Sequence, residues 1–203
     1  MARRIRKSKN KEISKRNERK IREKRRRQKT YLPYLLIFIL LSTSIFFIAR
    51  SISHNVDRNI ANIERAIKND DRQYIKNKMD RLDVIMEVLG SSYSDDENKK
   101  KEFLKNNFEN LEIHVLNKAD IAGGKEVSLE ISNVNYIDCY DKVKNIDEKS
   151  QHAAYMKELS KKNQDIKKAD AKVFLKKKLF GYQIYESRDF INAIIGGALD
   201  KVK

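Results

Sequence analysis

Nineteen consecutive residues without a charge, from Tyr31 to Ala49, constrain this chain more than any other feature. The run reads Tyr-Leu-Pro-Tyr-Leu-Leu-Ile-Phe-Ile-Leu-Leu-Ser-Thr-Ser-Ile-Phe-Phe-Ile-Ala, and Lys29 and Arg50 bracket it. About 20 apolar residues rising 1.5 Å each span the ~30 Å hydrocarbon core of a bilayer. A helix satisfies its own backbone groups, so it is the form such a segment takes in lipid. Pro33, the chain's one proline, is expected in the first turn of that helix, where its missing N–H costs nothing. Tyr31 and Tyr34 mark one interface. The expectation is a transmembrane helix over residues 31–50.

The charge supports a topology. The chain carries +16 overall. Residues 1–30 hold 16 Lys or Arg against Glu12, Glu18 and Glu23, which makes that tail +13, while residues 51–203 are nearly neutral at +2. The positive-inside rule then puts residues 1–30 in the cytoplasm and residues 51–203 outside, anchored to the cell membrane by a single pass. A cleaved secretory signal is the competing reading, with Ala49-Arg50-Ser51 as its cleavage site. Its basic and apolar regions would both be unusually long, so an uncleaved signal anchor fits better. Residues 2–29 lack apolar periodicity and are expected to order only against a surface. Anionic lipid headgroups at the cytoplasmic leaflet suit them. No aromatic interleaves the basic residues, which makes a single-strand nucleic-acid stacking mode a poor fit.

Beyond the span, the pattern alternates between helix and strand periods. Val56, Ile60, Ile63 and Ile67 share one face of a helix over 52–69, either a dimerising coiled-coil stalk or a first domain helix packed on a sheet. Asn69-Asp70-Asp71 breaks it. A second helix is expected over 72–89, closed by Gly90 with a loop over 91–98, and a third over 97–109. Residues 111–117 and 126–134 alternate apolar and polar around Gly123-Gly124, an antiparallel hairpin. Residues 137–166 read as an exposed helical excursion. A second hairpin is expected from residues 169–178 and 182–185, followed by a helix capped by Ser187 and ended by Gly196-Gly197. Helices grouped before antiparallel strands imply an α+β domain, a curved sheet covered on one face by helices.

The last strand-turn-strand-helix segment, Ala171 to Gly197, resembles the end of bacterial domains similar to nuclear transport factor 2. Gly181 matches the turn, Tyr182-Gln-Ile184 the aromatic-x-Ile strand (with Tyr where Trp is commoner), and Asp189-Phe-Ile-Asn-Ala193 the terminal helix. The break at Asn69-Asp70 resembles the end of that family's first helix. The resemblance covers roughly residues 53–199. It implies a cone-shaped α+β fold with a pocket at its open end. A cytoplasm-in single-pass protein with one such domain outside is similar in architecture to the inner-membrane assembly component of type IV secretion and conjugation machines, which is a non-enzymatic scaffold.

No chemistry stands out in the residues. His54, His114 and His152 share no metal-ligand spacing and read as surface side chains. Cys139, the chain's one cysteine, cannot form an internal disulfide and reads as a semi-buried thiol. Asp70-Asp71 and Asp95-Asp96 read as caps or turns. Gly123-Gly124 lacks the strand-to-helix setting of a phosphate loop. Asp138 beside Tyr140 is the pair a cone-fold isomerase or dehydratase would use, and nothing singles it out.

The expectation is therefore a non-enzymatic, membrane-anchored scaffold with no catalytic, cofactor or metal residues. It would bind other membrane or cell-surface proteins, or a second copy of itself. A small-ligand or sensing module using the cone pocket, an enzyme of the same fold, and a nucleic-acid tether in the tail are the alternatives. The Lys-, Asn-, Ile- and Asp-rich, Trp-free composition suits an AT-rich bacterial genome.

Overall fold

A computed structural model of the chain describes residues 2–161 and 166–201, with side chains from Tyr31 onward and at Arg19, Lys20, Arg22 and Lys24. Two compact units emerge, Met1–Ala49 and Arg50–Lys203.

The described residues of the first unit lie in one helix, α1, spanning Ala2–Ser53, whose residues 50–53 belong to the second unit. Its Tyr31–Ser53 part is long and apolar enough to cross a membrane, and none of it is buried inside the chain. Three hydroxyls within the apolar run bond back along the helix: Ser42 to the Phe38 carbonyl at 2.8 Å, and Thr43 and Ser44 to the Leu40 carbonyl at 2.9 and 2.8 Å. Each of these three hydroxyls is thereby satisfied locally, which an apolar solvent requires. Residues 2–29 are helical, as Arg, Lys, Glu and Gln are good helix formers and neither Gly nor Pro interrupts them. One expectation is corrected here. Pro33 accordingly lies inside a helix rather than in its first turn, and it leaves the Lys29 carbonyl without its usual partner four residues on.

The second unit is α+β. Helices α2 (Val56–Lys68), α3 (Arg72–Lys78), α4 (Arg81–Tyr93) and α5 (Glu97–Phe108) lead into strands β1 (Glu112–Ile121) and β2 (Gly124–Asn133). Helices α6 (Tyr136–Val143) and α7 (Glu148–Ser160) follow, then β3 (Lys167–Lys177), β4 (Tyr182–Glu186) and α8 (Arg188–Ile194). The strands form one open antiparallel sheet in the order β1-β2-β3-β4.

The α2 stripe decides between stalk and domain helix. Val56, Ile60, Ile63 and Ile67 are all buried within this unit, and α2 lies against β1. It is a domain helix, and Asn55 caps it by accepting from the Arg58 N–H at 2.9 Å. The predicted helix over 72–89 is instead two. Met79 is extended at the break and fully buried, so a core side chain sits where the helix would have run on. Gly90 does not end α4. The helix continues to Tyr93, with Gly90 facing Leu104 of α5, where a Cβ would meet Leu104 Cδ1 at 3.4 Å.

The sheet has one dry face and one wet one. Val127, Leu129 and Ile131 of β2, Ala171, Val173 and Leu175 of β3, and Ile184 of β4 are buried beneath helices, as their alternation predicts. The interior of the sheet is thus filled by its own side chains. On the other face Lys172 pairs with Glu126 at 3.0 Å and Lys168 with Glu130 at 3.1 Å, and Phe174 stacks on Tyr185. Strand β1 runs further than predicted, through a bulge at Leu116 to Ile121. Ser132, expected outward, is buried.

The largest departure concerns residues 137–166. They are no exposed excursion. Helices α6 and α7 bury Cys139, Val143, Tyr155, Met156 and Leu159, and α7 packs on α5. Charged residues lie on the solvent side of each helix, which masks the apolar stripe in sequence. Residues 162–165 of that stretch lie outside the described residues.

Candidate functional site

Helices α4, α5, α6 and α7 line a half-open cavity of about 770 Å³, whose lining also includes Ile195 and Leu199 near the chain's end. No strand residue lines it. One wall is the outward stripe of α4, where Ile85, Val88 and Leu89 project beyond the buried residues Leu82 and Met86. Val88 stays 54 % exposed and Tyr140, on the α6 wall, 44 %.

The floor is aromatic. Tyr93 stacks on Phe103 with ring centroids 4.5 Å apart, and Phe103 stacks on Tyr155 at 6.0 Å. Tyr140 meets Tyr155 edge-on at 5.6 Å. Offset and edge-to-face pairs of this kind add roughly 0.5–1.5 kcal/mol each beyond area burial. The Tyr155 hydroxyl donates to the Tyr136 carbonyl at 2.9 Å. Burial raises the phenols of Tyr93, Tyr136 and Tyr155 above their ordinary range, with the Glu102 carboxylate adding to the effect at Tyr93. These rings therefore offer faces and neutral hydroxyls, which suit an apolar or aromatic guest.

His152 sits at the edge of this floor and is half-buried, contrary to its expected place on the open surface. Its Nδ1 is 2.5 Å from the Tyr93 hydroxyl and its Nε2 is 3.1 Å from Glu102 Oε2. With the hydroxyl donating to Nδ1, the Nε2–H donates to Glu102. The order carboxylate, imidazole, hydroxyl matches a proton relay in form. The hydroxyl at its end, however, is a phenol held neutral and stacked on Phe103, so it makes a poor nucleophile.

The other weighed residues are dispersed. Asp138 and Tyr140 do not converge. Asp138 turns to Lys167 at 3.2 Å and to Lys201, and these lysines hold its carboxyl below the usual range, Lys201 most strongly. Cys139 is buried next to them in sequence, and desolvation pushes its thiol up to about 11, the opposite of an activated nucleophile. His54 is also no open surface residue. Its Nδ1 lies 2.7 Å from the Arg50 carbonyl, its Nε2 lies 3.0 Å from the Lys178 carbonyl, and its ring packs edge-on against Tyr182. His114 is exposed on β1. Asp71 and Asp96 cap α3 and α5, as expected of them. Among the described residues no group of three or more His, Cys, Asp or Glu side chains is placed to hold a metal ion.

No protein-family model, curated protein or solved structure matches the chain.

Sequence reasoning missed the aromatic floor. Its members come from four helices, spread between Tyr93 and Tyr155. The available signal was the run of tyrosines (Tyr136, Tyr140, Tyr155) in a stretch otherwise polar enough to read as exposed.

Proposed function

We propose that this chain is a non-catalytic, membrane-anchored scaffold. The basic tail stays in the cytoplasm, and the α+β unit works outside as a protein-binding domain of the nuclear transport factor 2-like kind, within an assembly such as a secretion or conjugation complex. The observation that carries this reading is the Tyr31–Ser53 helix, which is long and apolar enough to span and has no part buried in its own chain. A helix that shape gains nothing from water and is accounted for by lipid. The +13 tail beside it supplies the orientation. The apolar stripe of Val88 and Tyr140 offers the outer unit an anchor point for a partner side chain.

Photo-crosslinking in intact cells tests the reading, with probes at Val88 and Tyr140. Adducts with defined membrane or cell-surface proteins, lost from the Tyr140 probe when Val88 is exchanged for Glu, support a scaffold. Adducts with this chain alone, or none, refute it.

The cavity's size and aromatic floor favour a second reading, a module that binds a small apolar or aromatic molecule. Its site is the helical cavity and not the interior of the sheet, which is full. A fluorescent apolar probe displaced from wild-type protein but unable to bind a Leu89→Trp variant would support it.

A further inference from the structure

The two hairpin turns of the sheet lie at the same end of the outer unit. Ile121 pairs with Gly124 across the first, Gly124 pairs with Lys176 across the next strand, and the Lys177 N–H donates to the Gly123 carbonyl at 3.2 Å. With strands about 4.8 Å apart, the first turn stands roughly 10 Å from the second. Both tips are apolar and open to solvent: Ile121 is 47 % exposed, Leu179 62 % and Phe180 46 %.

That end is hydrogen-bonded to Ser53 and His54, at the start of the same unit. The Gly181 N–H donates to Ser53 Oγ at 3.1 Å, His54 Nε2 meets the Lys178 carbonyl at 3.0 Å, and the Tyr182 hydroxyl donates to the His54 carbonyl at 3.1 Å. Ser53 is the last residue of the stretch able to span a membrane. The second turn is thus hydrogen-bonded to the residue at which such a span stops.

The charge at this end is basic. Lys118 is matched by Asp57 and Lys125 by Asp120. Lys176, Lys177 and Lys178 are exposed, and among the described residues no carboxylate forms an ion pair with them. Lysines flanking exposed Leu and Phe on a tight turn are the composition of an interfacial contact, with apolar tips entering the headgroup boundary and cations meeting anionic lipid.

We infer that the turns carrying Ile121 and Leu179-Phe180, with Lys176–Lys178, form a second membrane contact that seats the outer unit on an anionic bilayer surface. This rests on the anchored reading above. It gives the domain a fixed orientation on the bilayer, which a single point of attachment would not.

The test uses the full chain in vesicles of phosphatidylglycerol and phosphatidylcholine that carry nitroxide lipids, at headgroup level for the turn and sheet positions and on the acyl chain for Ile39. An NBD fluorophore is attached to a cysteine at Leu179, Ile121, Lys168 or Ile39, with the unsubstituted chain giving the background of Cys139. Lys168 is the control, at the far end of β3 about 30 Å from Lys177. Ile39 reports the span itself. The expected result is loss of roughly half or more of the fluorescence at Leu179 and Ile121, little at Lys168, and a smaller loss at Leu179 in phosphatidylcholine alone or after exchange of Lys176, Lys177 and Lys178 for Gln. Quenching at Leu179 no greater than at Lys168, with Ile39 quenched by nitroxides on the acyl chain, overturns the second contact and leaves the anchor standing. An unquenched Ile39 overturns the anchor and this inference with it.

Discussion

Glu186 Oε1, at the end of β4, accepts from the backbone N–H of Leu82 at 3.1 Å and from that of Arg81 at the same distance. The residue preceding α4, Asp80, makes no side-chain cap of its own. A carboxylate 104 positions away in sequence therefore satisfies the first orphan donors of the helix that walls the cavity. Its charge also opposes the positive end of the helix dipole.

Replacing Glu186 by Ala strands two N–H groups, one of them at the fully buried Leu82. The expected cost is about 1–3 kcal/mol of unfolding free energy, and Glu186→Gln, which keeps an acceptor, is expected to cost less. Denaturant titration followed by tyrosine fluorescence checks the order. Equal stability of all three chains would show the cap is idle.

Gly196 closes α8 at φ +67, and a side chain there would collide with the Val134 carbonyl. Gly123 also has a positive φ, yet nothing lies within 4 Å of where its Cβ would be. Gly196→Ala is therefore expected to destabilise by more than about 2 kcal/mol, and Gly123→Ala by about 1 kcal/mol from backbone strain alone. Matched thermal melts would separate the two, and similar shifts would contradict the packing argument.

Cys139 offers a kinetic check on the α6 packing. Its thiol is raised from 9.0 to about 11 by burial, so at neutral pH the folded chain holds about 100-fold less thiolate than the unfolded chain. The raised value means the unfolded thiol ionises first, so stability falls as pH rises from about 9 and levels off above about 11. Iodoacetamide alkylation at pH 8 is expected to be at least about 100-fold slower in the native chain than in denaturant. Equal rates would place the thiol at the surface.

How much of this was readable beforehand differs by element. Strand β2 announced itself because Val127, Leu129 and Ile131 alternate with polar residues on a one-sided sheet. Ser187 and Gly196 marked both ends of α8, because cap chemistry is local. The break at Met79 was not readable. Its cause is tertiary, a side chain drawn into the core, and nothing in Met79-Asp80 forbids a helix. The aromatic floor escaped for the same reason. Tyr93, Phe103 and Tyr155 meet only once α4, α5 and α7 have packed, and no spacing rule joins residues on three helices. The Glu186 cap needed the approach of β4 to α4, which likewise has no sequence signature.

Asp138 joins α6 to β3 and to the C-terminal segment through Lys167 and Lys201. Its carboxyl is held below the ordinary aspartate value of about 3.8, so the stability it contributes is present above about pH 4 and is lost as pH falls through the lower folded value. The carboxylate is largely solvated, which limits the contribution to less than about 1 kcal/mol. Asp138→Asn is expected to be slightly less stable than wild type at pH 6, with the difference shrinking as pH is lowered below about 4. A difference that grows toward low pH would reverse the assignment.

The most direct test of the whole account is the sidedness of the chain in living cells. Cysteines introduced at Lys144, exposed in the outer unit, and at Lys20, in the basic tail, are probed with a membrane-impermeant maleimide before and after lysis, with the unsubstituted chain giving the background of Cys139. A cytoplasm-in anchor predicts labelling of Lys144→Cys in intact cells, and of Lys20→Cys only after lysis. Labelling in the reverse order, or of both sites only after lysis, would contradict an outer α+β unit and with it the scaffold built on that topology.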